Sequence, residues 1–220
     1  NPLSLSLVVA AGLVAPGGPV LAHQPPPGPG DALPPIVAAR LASPVAVDGA
    51  LDEPAWQGVP GMNAFVQMEP FEGAAATEST WVWFAYDERA LYVAARMWDS
   101  HPDSIVAPLF RRDDFVATDF AGLILDPFHD HRTGYEFVIT PSGSVMDATT
   151  YNDGMEDASW DGVWEGRTRR DDRGWTCEMR IPFSQLRFTP GDGQVWGVNF
   201  GRFVARRAEK SFRVIKPRAE

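Results

Sequence analysis

One short stretch, LDPFHDHRTGYEF at 125–137, has the residue types that most readily bind a metal or transfer a proton. His129 and His131 lie one residue apart, with Asp126 and Asp130 close by. Histidine nitrogens and carboxylate oxygens are zinc ligands, and the same pair can act as acid and base. H-x-H supplies no third ligand at a standard spacing, and the stretch contains a proline and a glycine typical of turns. We expect a solvated hairpin loop rather than a metal site.

A second polar group precedes a predicted strand, where Arg112, Phe115 and Asp119 follow one another closely. Carboxylates and arginines hydrogen-bond paired hydroxyl groups in fixed directions, and an aromatic ring covers the apolar face of a sugar. We take these three residues as candidate ligand contacts. The alternative is a salt-bridged rim at the entrance of the strand, which would bind nothing.

The richest polar loop is YNDGMEDASWDGVWE at 151–165. Trp160 is the best candidate stacking platform, and Asn152 is a further candidate ligand contact, whereas Trp164 fits the core pattern of a strand. The carboxylates predicted to bind calcium are Asp153, Glu156 and Asp157. The loop does not match the EF-hand spacing, so a structural calcium ion and an ion-free turn rich in Asp and Asn are both open.

Catalysis is the weakest of the chemical interpretations. A glycosidase needs two carboxylates in one cleft, and Glu165 and Glu178 lie on neighbouring predicted strands. The sequence has no G-x-S-x-G, no H-E-x-x-H and no phosphate-binding glycine loop. We therefore expect no catalytic residue in this chain, although a carboxylate pair in a shared cleft would favour a hydrolase.

The elements that must position these residues are short strands. Segments with a period of two residues recur, and they include the hairpin formed by ESTWVWFAYD and LYVAARMWD. Helix is limited to one or two short turns, at Asp52–Val59 with Asp52 as cap and at Pro182–Phe188. Most of the eight tryptophans are expected in the core. The pattern predicts an all-β protein, an antiparallel β-sandwich of two packed sheets, jelly-roll-like in topology.

Three segments differ in composition. Residues 1–22 form an apolar run that ends in small residues, typical of a signal peptide and of export to the periplasm or outer membrane. Residues 23–35 are a proline-rich linker, and residues 36–220 are the folded domain. The net charge of −10 and pI near 4.8 argue against nucleic acid as a partner. With Cys177 as the single cysteine, no intrachain disulfide can form.

Several segments resemble family-9 carbohydrate-binding modules. They are PVAVDGALDEPAW, VWFAYDERALYVAARMWD, the central RRDDFVATDFAGLILDPFHDHRTGYEFVITPSGSVMDA, GWTCEMRIPFSQLRF and WGVNFGRFVARRAE, which together span about 36–209. The resemblance implies a β-sandwich that binds a polysaccharide or oligosaccharide, and it makes structural calcium plausible. Sugar-binding members have a tryptophan just ahead of the strand that carries the acidic residue. Here Phe115 and Val116 stand in that neighbourhood.

The detail of LDPFHDHRTGYEF and IPFSQLRF is similar to the amino-terminal module of large exported bacterial proteins in which a predicted outer-membrane barrel follows. This resemblance implies a membrane-barrel partner domain on the carboxy-terminal side. It also leaves a second function open. In this alternative, the chain is a structural periplasmic domain that docks against such a barrel and binds no sugar.

Overall fold

Two sheets packed face to face form the protein in the computed structural model, which describes residues 5–9, 35–114, 116–151, 155–191 and 193–215. Helical structure in these ranges is limited to short 3-10 turns. The strands are β1 Leu5–Val9, β2 Ile36–Val37, β3 Ala39–Arg40, β4 Gly61–Met62, β5 Val66–Glu69, β6 Thr80–Tyr86, β7 Ala90–Trp98, β8 Phe120–Asp126, β9 Thr133–Ile139, β10 Val145–Tyr151, β11 Met155–Asp157, β12 Glu165–Asp171, β13 Gly174–Pro182, β14 Gln194–Val204 and β15 Glu209–Phe212. The predicted all-β sandwich is confirmed.

The larger sheet has the strand order β11-β10-β9-β8-β14-β1-β2, with β15 pairing to β14 and β5 to β15. The smaller sheet has the order β12-β13-β7-β6-β3, with β4 also paired to β6. Long strands pair antiparallel, and parallel pairing is confined to the short contacts of β2 with β1 and β3 with β6. Within the described ranges, no helix is long and apolar enough to cross a membrane.

Because side chains alternate between the two faces of each strand, one set of them lies between the sheets. In β8, Ala121, Leu123 and Leu125 are fully buried in the core, while the residues between them face outward. Part of the outward face of the smaller sheet is covered, because Trp56 and Val59 from the preceding segment pack on Tyr92 of β7. Within the described residues, the central part of the larger sheet's outward face has no such cover, so a ligand can reach the strands there.

The segment that covers the smaller sheet is anchored by one buried carboxylate. Glu178 on β13 accepts hydrogen bonds from the backbone N–H of Asp48 at 2.9 Å and of Gly49 at 2.8 Å, and from Trp56 Nε1 at 2.8 Å. Burial raises the pKa of Glu178, and these donors oppose that rise. This carboxylate therefore fixes the turn and the tryptophan together.

A buried arginine joins the two sheets at one end of the sandwich. Arg202 of β14 is 1% exposed, and its Nη1 donates to the Trp98 carbonyl at 2.7 Å and to the Ser79 carbonyl at 3.2 Å. Its Nη2 lies 3.4 Å from Asp99 Oδ2, which also accepts from Arg206 at 2.7 Å. Both arginines thus pair with the same carboxylate. Because the acceptors lie at the ends of β6 and β7, the cluster sets how β14 sits on the smaller sheet.

The predicted hairpins and helical turns form in the structure, although the cap of one turn differs from the prediction. The hairpins β6–β7, β8–β9 and β12–β13 form as expected. The first helical turn is Pro54–Trp56, and its N-cap is Glu53 without a side-chain cap bond, so the prediction of Asp52 as cap was wrong. The second turn forms at Phe183–Gln185. In the segment predicted as a leader, Leu5–Val9 pairs with β14, and its removal as a signal peptide stays a prediction.

Replacing Arg202 with alanine should lower the free energy of unfolding by about 3–5 kcal/mol, because the Trp98 and Ser79 carbonyls would lose their donor and the buried Asp99 would keep only Arg206 as counter-charge. Chemical denaturation monitored by tryptophan fluorescence measures this change. Arg207→Ala is the matched control, since the Arg207 side chain is 39% exposed and makes a single 3.4 Å contact with Glu78. Equal and small losses in both variants would contradict a structural role for the buried arginine.

Candidate functional site

The outward face of the larger sheet is depressed at its centre because small residues occupy its middle strands. Glu136, Ile124 and Asn199 form one row across β9, β8 and β14. The rows on either side contain glycines, which have no side chain to fill the space above the sheet. These glycines are Gly122 and Gly201 on one side, and Gly134 and Gly197 on the other. The result is a cleft of about 340 Å³, within the size range of small-ligand sites.

The walls of the cleft are apolar on one side and acidic on the other. Phe212 of β15 lies across Gly201, so closely that a Cβ on that glycine would be 2.4 Å from the ring. Phe120 and Met68 extend this apolar wall. On the far side, Glu156 of β11 lines the cleft together with the strands β9 and β10. The cleft therefore offers aromatic surface and carboxylate oxygens to the same ligand.

Glu136 is a carboxyl group in the cleft whose pKa is strongly raised. Burial, with a smaller contribution from the nearby carboxylate of Glu156, raises the pKa of Glu136 to about 7. No cation among the described residues lowers it. A half-buried carboxyl with this pKa can donate a hydrogen bond when protonated and accept hydrogen bonds or bind a cation when ionised.

The histidine-containing loop forms one rim of the cleft, where His131 and Arg132 reach the lining. The carboxylate of Asp126 holds this loop in place, because it accepts hydrogen bonds from the backbone N–H of His131 at 2.8 Å and of Asp130 at 3.2 Å. The rings of His129 and His131 meet edge to face, with centroids 5.0 Å apart. The predicted connecting loop is confirmed, and neither histidine belongs to a potential metal-binding group in the described part of the chain.

The match to known families decides the identity of the fold. The model of the family described as carbohydrate family 9 binding domain-like matches residues 47–213. The chain belongs to this family. No curated protein matches it.

Solved structures agree with the family assignment at the level of the fold. A family-9 carbohydrate-binding module from Caldicellulosiruptor kristjanssonii in complex with cellotriose has a TM-score of 0.55 at 18% identity, covering 80% of this chain and 81% of that one. Its complex with glucose has a TM-score of 0.56 at 19% identity, covering 80% and 84%. A candidate carbohydrate-binding protein from Bacteroides uniformis has a TM-score of 0.63 at 13% identity, covering 83% and 90%.

Within this family fold, Trp160 stands apart from the cleft. It is half-buried, with its ring centroid 5.1 Å from Tyr135 and 5.9 Å from Phe137. Its ring also lies on Gly162, where a Cβ would be only 2.6 Å away. This tryptophan therefore covers the edge of the core between the sheets. Trp164, predicted as core, is buried against Phe137 as expected.

Arg112 lies in a carboxylate cluster behind the same edge. Its guanidinium contacts the buried Asp147, donates to the Gly162 carbonyl at 2.8 Å, and reaches Asp161 at 2.8 Å. Asp147 also accepts from Trp164 Nε1 at 2.6 Å, while burial raises the pKa of its carboxyl. Arg112 thus links the loop at 161–162 to β10. This agrees with the alternative prediction, in which the group is a salt-bridged rim that binds no ligand.

Asp119 is fully buried, and its Oδ1 accepts the backbone N–H of Ala205 at 2.9 Å. Burial raises the pKa of this carboxyl, and the charge of Arg202 opposes the rise. Because this side chain does not reach solvent, it is not part of the cleft. Phe115, Asn152 and Asp153 lie outside the described residues.

Of the three predicted calcium ligands, the described residues include Glu156 and Asp157, and calcium binding stays a prediction. Glu156 and Asp157 are consecutive in β11 and therefore point to opposite faces of the sheet, Glu156 toward the cleft. Two other carboxylate groups are close enough to share an ion, Asp48–Glu53–Glu178 and Asp113–Asp147–Asp161. Both groups fit calcium poorly. Glu178 is held by N–H donors, and Asp147 and Asp161 are held by Arg112. Among the described residues, Glu53 Oε2 and Asp147 Oδ1 have no hydrogen-bond partner.

Sequence reasoning missed the cleft and its central residue, Glu136. A signal was present in the glycines at outward positions of FAGLILD and VWGVNFGRF, because glycine inside a strand often marks a site where another group approaches the backbone. The other carboxylate pair considered for hydrolysis, Glu165 and Glu178, does lie on adjacent strands. It forms no cleft, because Glu165 is exposed and Glu178 is buried.

The pH dependence of stability should report on Glu136. In the folded protein the pKa of Glu136 is about 7, whereas in the unfolded chain it is near 4.5, the ordinary value for a glutamate. The free energy of unfolding should therefore fall as pH rises from 4.5 to 7, by at most about 3 kcal/mol, and stay level above. Glu136→Gln should remove this fall, and the difference from wild type is measured by denaturation across pH.

Glu165→Gln is the matched control, because the Glu165 side chain is 58% exposed on the other sheet. Its difference from wild type should be flat across the same pH range. A flat difference for Glu136→Gln as well would show that the carboxyl is solvated like an ordinary glutamate.

Proposed function

We propose that this chain binds an oligosaccharide noncovalently in the cleft on the outward face of the larger sheet. The observation that carries the proposal is the joint presence of aromatic wall and carboxylates around a glycine floor, in a member of a carbohydrate-binding-like family. The complexes of the Caldicellulosiruptor kristjanssonii module with cellotriose and with glucose support the proposal only at the level of the ligand class, which is sugars.

The chemistry of the cleft suits a pyranose ring. Its apolar face can lie against Phe212 and Ile124, which removes apolar surface from water on both sides. Its hydroxyl groups can donate to the carboxylates of Glu136 and Glu156, and such charge-assisted hydrogen bonds are directional. The apolar wall supplies affinity, and the carboxylates select the orientation of the ring.

The predicted export fits this proposal, because polysaccharides are available to exported proteins. Attachment to an outer-membrane barrel, calcium binding and a purely structural docking role stay predictions. A glycan array with calcium present and after chelation separates sugar binding from a purely structural role and tests whether binding needs calcium. Specific binding supports the proposed function, and loss after chelation would add an ion to it. A blank array from a folded sample would contradict sugar binding.

Filling the cleft should abolish binding. A Cβ on Gly122 would lie 3.6 Å from Val138 and 4.0 Å from Glu136, so Gly122→Leu is accommodated in the strand while its side chain enters the cleft. We expect at least a tenfold loss of oligosaccharide affinity by calorimetry, with a melting temperature close to that of wild type. Gly191→Leu, in an exposed loop away from the lining, is the control and should bind normally. Equal affinity in both variants would place the sugar site elsewhere.

Glycoside hydrolysis is the second candidate, favoured by a carboxyl of raised pKa that shares a cleft with another carboxylate. We expect binding without turnover. Incubation of a bound oligosaccharide with the chain should release no new reducing ends above the level seen with Glu136→Gln. Release that depends on Glu136 would make the protein a hydrolase and would contradict the noncovalent function.

A further inference from the structure

The basic groups that line the cleft each have an acidic neighbour of their own. Lys210 Nζ lies 3.5 Å from Glu69 Oε2, and His131 Nδ1 lies 3.9 Å from Asp126 Oδ2. Arg132 interacts electrostatically with Asp130 on the same loop. Each of these three basic groups is therefore close to, or interacts electrostatically with, a carboxylate at the rim.

Among the described residues, the carboxylates on the acidic side of the cleft have no such counter-charge. Glu136 and Glu156 line the same cleft, and both burial and the charge of Glu156 make ionisation of Glu136 unfavourable. A cation placed between the two carboxylates would relieve their repulsion and gain two ion pairs. In the described part of the chain, the acidic side of the cleft thus has no positive group paired with these carboxylates.

We propose that the ligand of this cleft carries a protonated amine, as in a glucosamine-containing oligosaccharide, seated against Glu136 and Glu156. The proposal rests on the proposed function and narrows it from sugars in general to amino sugars. The amine faces the acidic side formed by β9 and β11, and the ring carbons face Phe212 and Phe120 on the other side.

An organic amine fits this lining better than a bare metal ion. Calcium requires six to eight oxygen ligands around it. The cleft has glycine and apolar side chains on its floor and one wall, so two glutamates leave such an ion underliganded. An ammonium group on a sugar needs fewer oxygens, and the rest of the sugar uses the apolar wall. The net charge of −10 also favours the approach of a cationic ligand.

Calorimetry of the full chain with three matched trisaccharides tests the proposal: the glucosamine trimer, the N-acetylglucosamine trimer and cellotriose. We expect the glucosamine trimer to bind at least tenfold more tightly than the other two, with a preference that weakens as salt is added. Glu136→Gln and Glu156→Gln should each reduce this preference at least fivefold, because each variant weakens binding of the glucosamine trimer more than it weakens binding of cellotriose.

Asp172→Asn is the matched control, since it removes one negative charge at a side chain that is 92% exposed in the hairpin turn of the other sheet. It should keep the preference of wild type. Equal binding of the three trisaccharides would overturn the amine proposal and leave the sugar function standing. No binding of any trisaccharide to the folded chain would overturn both. A loss of preference in Asp172→Asn as large as in Glu136→Gln would also overturn it, because the selectivity would then reflect net charge.

Discussion

The insertion of Arg202 between the sheets is the interaction on which the rest of the structure depends. Its guanidinium binds carbonyls at the ends of β6 and β7 and the carboxylate of Asp99, so these contacts hold β14 in position against the smaller sheet. Since side chains alternate along a strand, a buried Arg202 forces Gly201 and Asn199 to the outward face. A shift by one residue would place the arginine in solvent and close the cleft with core side chains.

The two sheets differ in how their outward faces are covered. The Trp56 segment, anchored by Glu178, covers the smaller sheet around Tyr92. Within the described residues, the larger sheet leaves its central outward surface open, with glycines on its middle strands. Glycine lowers strand stability, and the paired neighbours on both sides hold these positions extended. A half-buried carboxyl such as Glu136 adds a further cost, which a bound ligand can offset.

Much of the fold followed from the sequence, and little of the site did. Alternating apolar segments with turn residues between them are local signals, so the hairpins and the sandwich could be predicted. The candidate contacts were chosen by residue type, and type does not report which face a side chain occupies. Trp160 and Asp119 are used for packing and for a buried hydrogen bond. Glu136 has no local signature, because its environment is created by strands distant in sequence.

The most direct test of the central claim is a crystal structure of the chain with the glucosamine trimer or cellotriose bound. The account predicts sugar density in the cleft, with a ring against Phe212 and a polar group within hydrogen-bonding distance of Glu136. Density on another surface, such as the stacked Trp81 and Trp83 rings of the smaller sheet, with an empty cleft would contradict it.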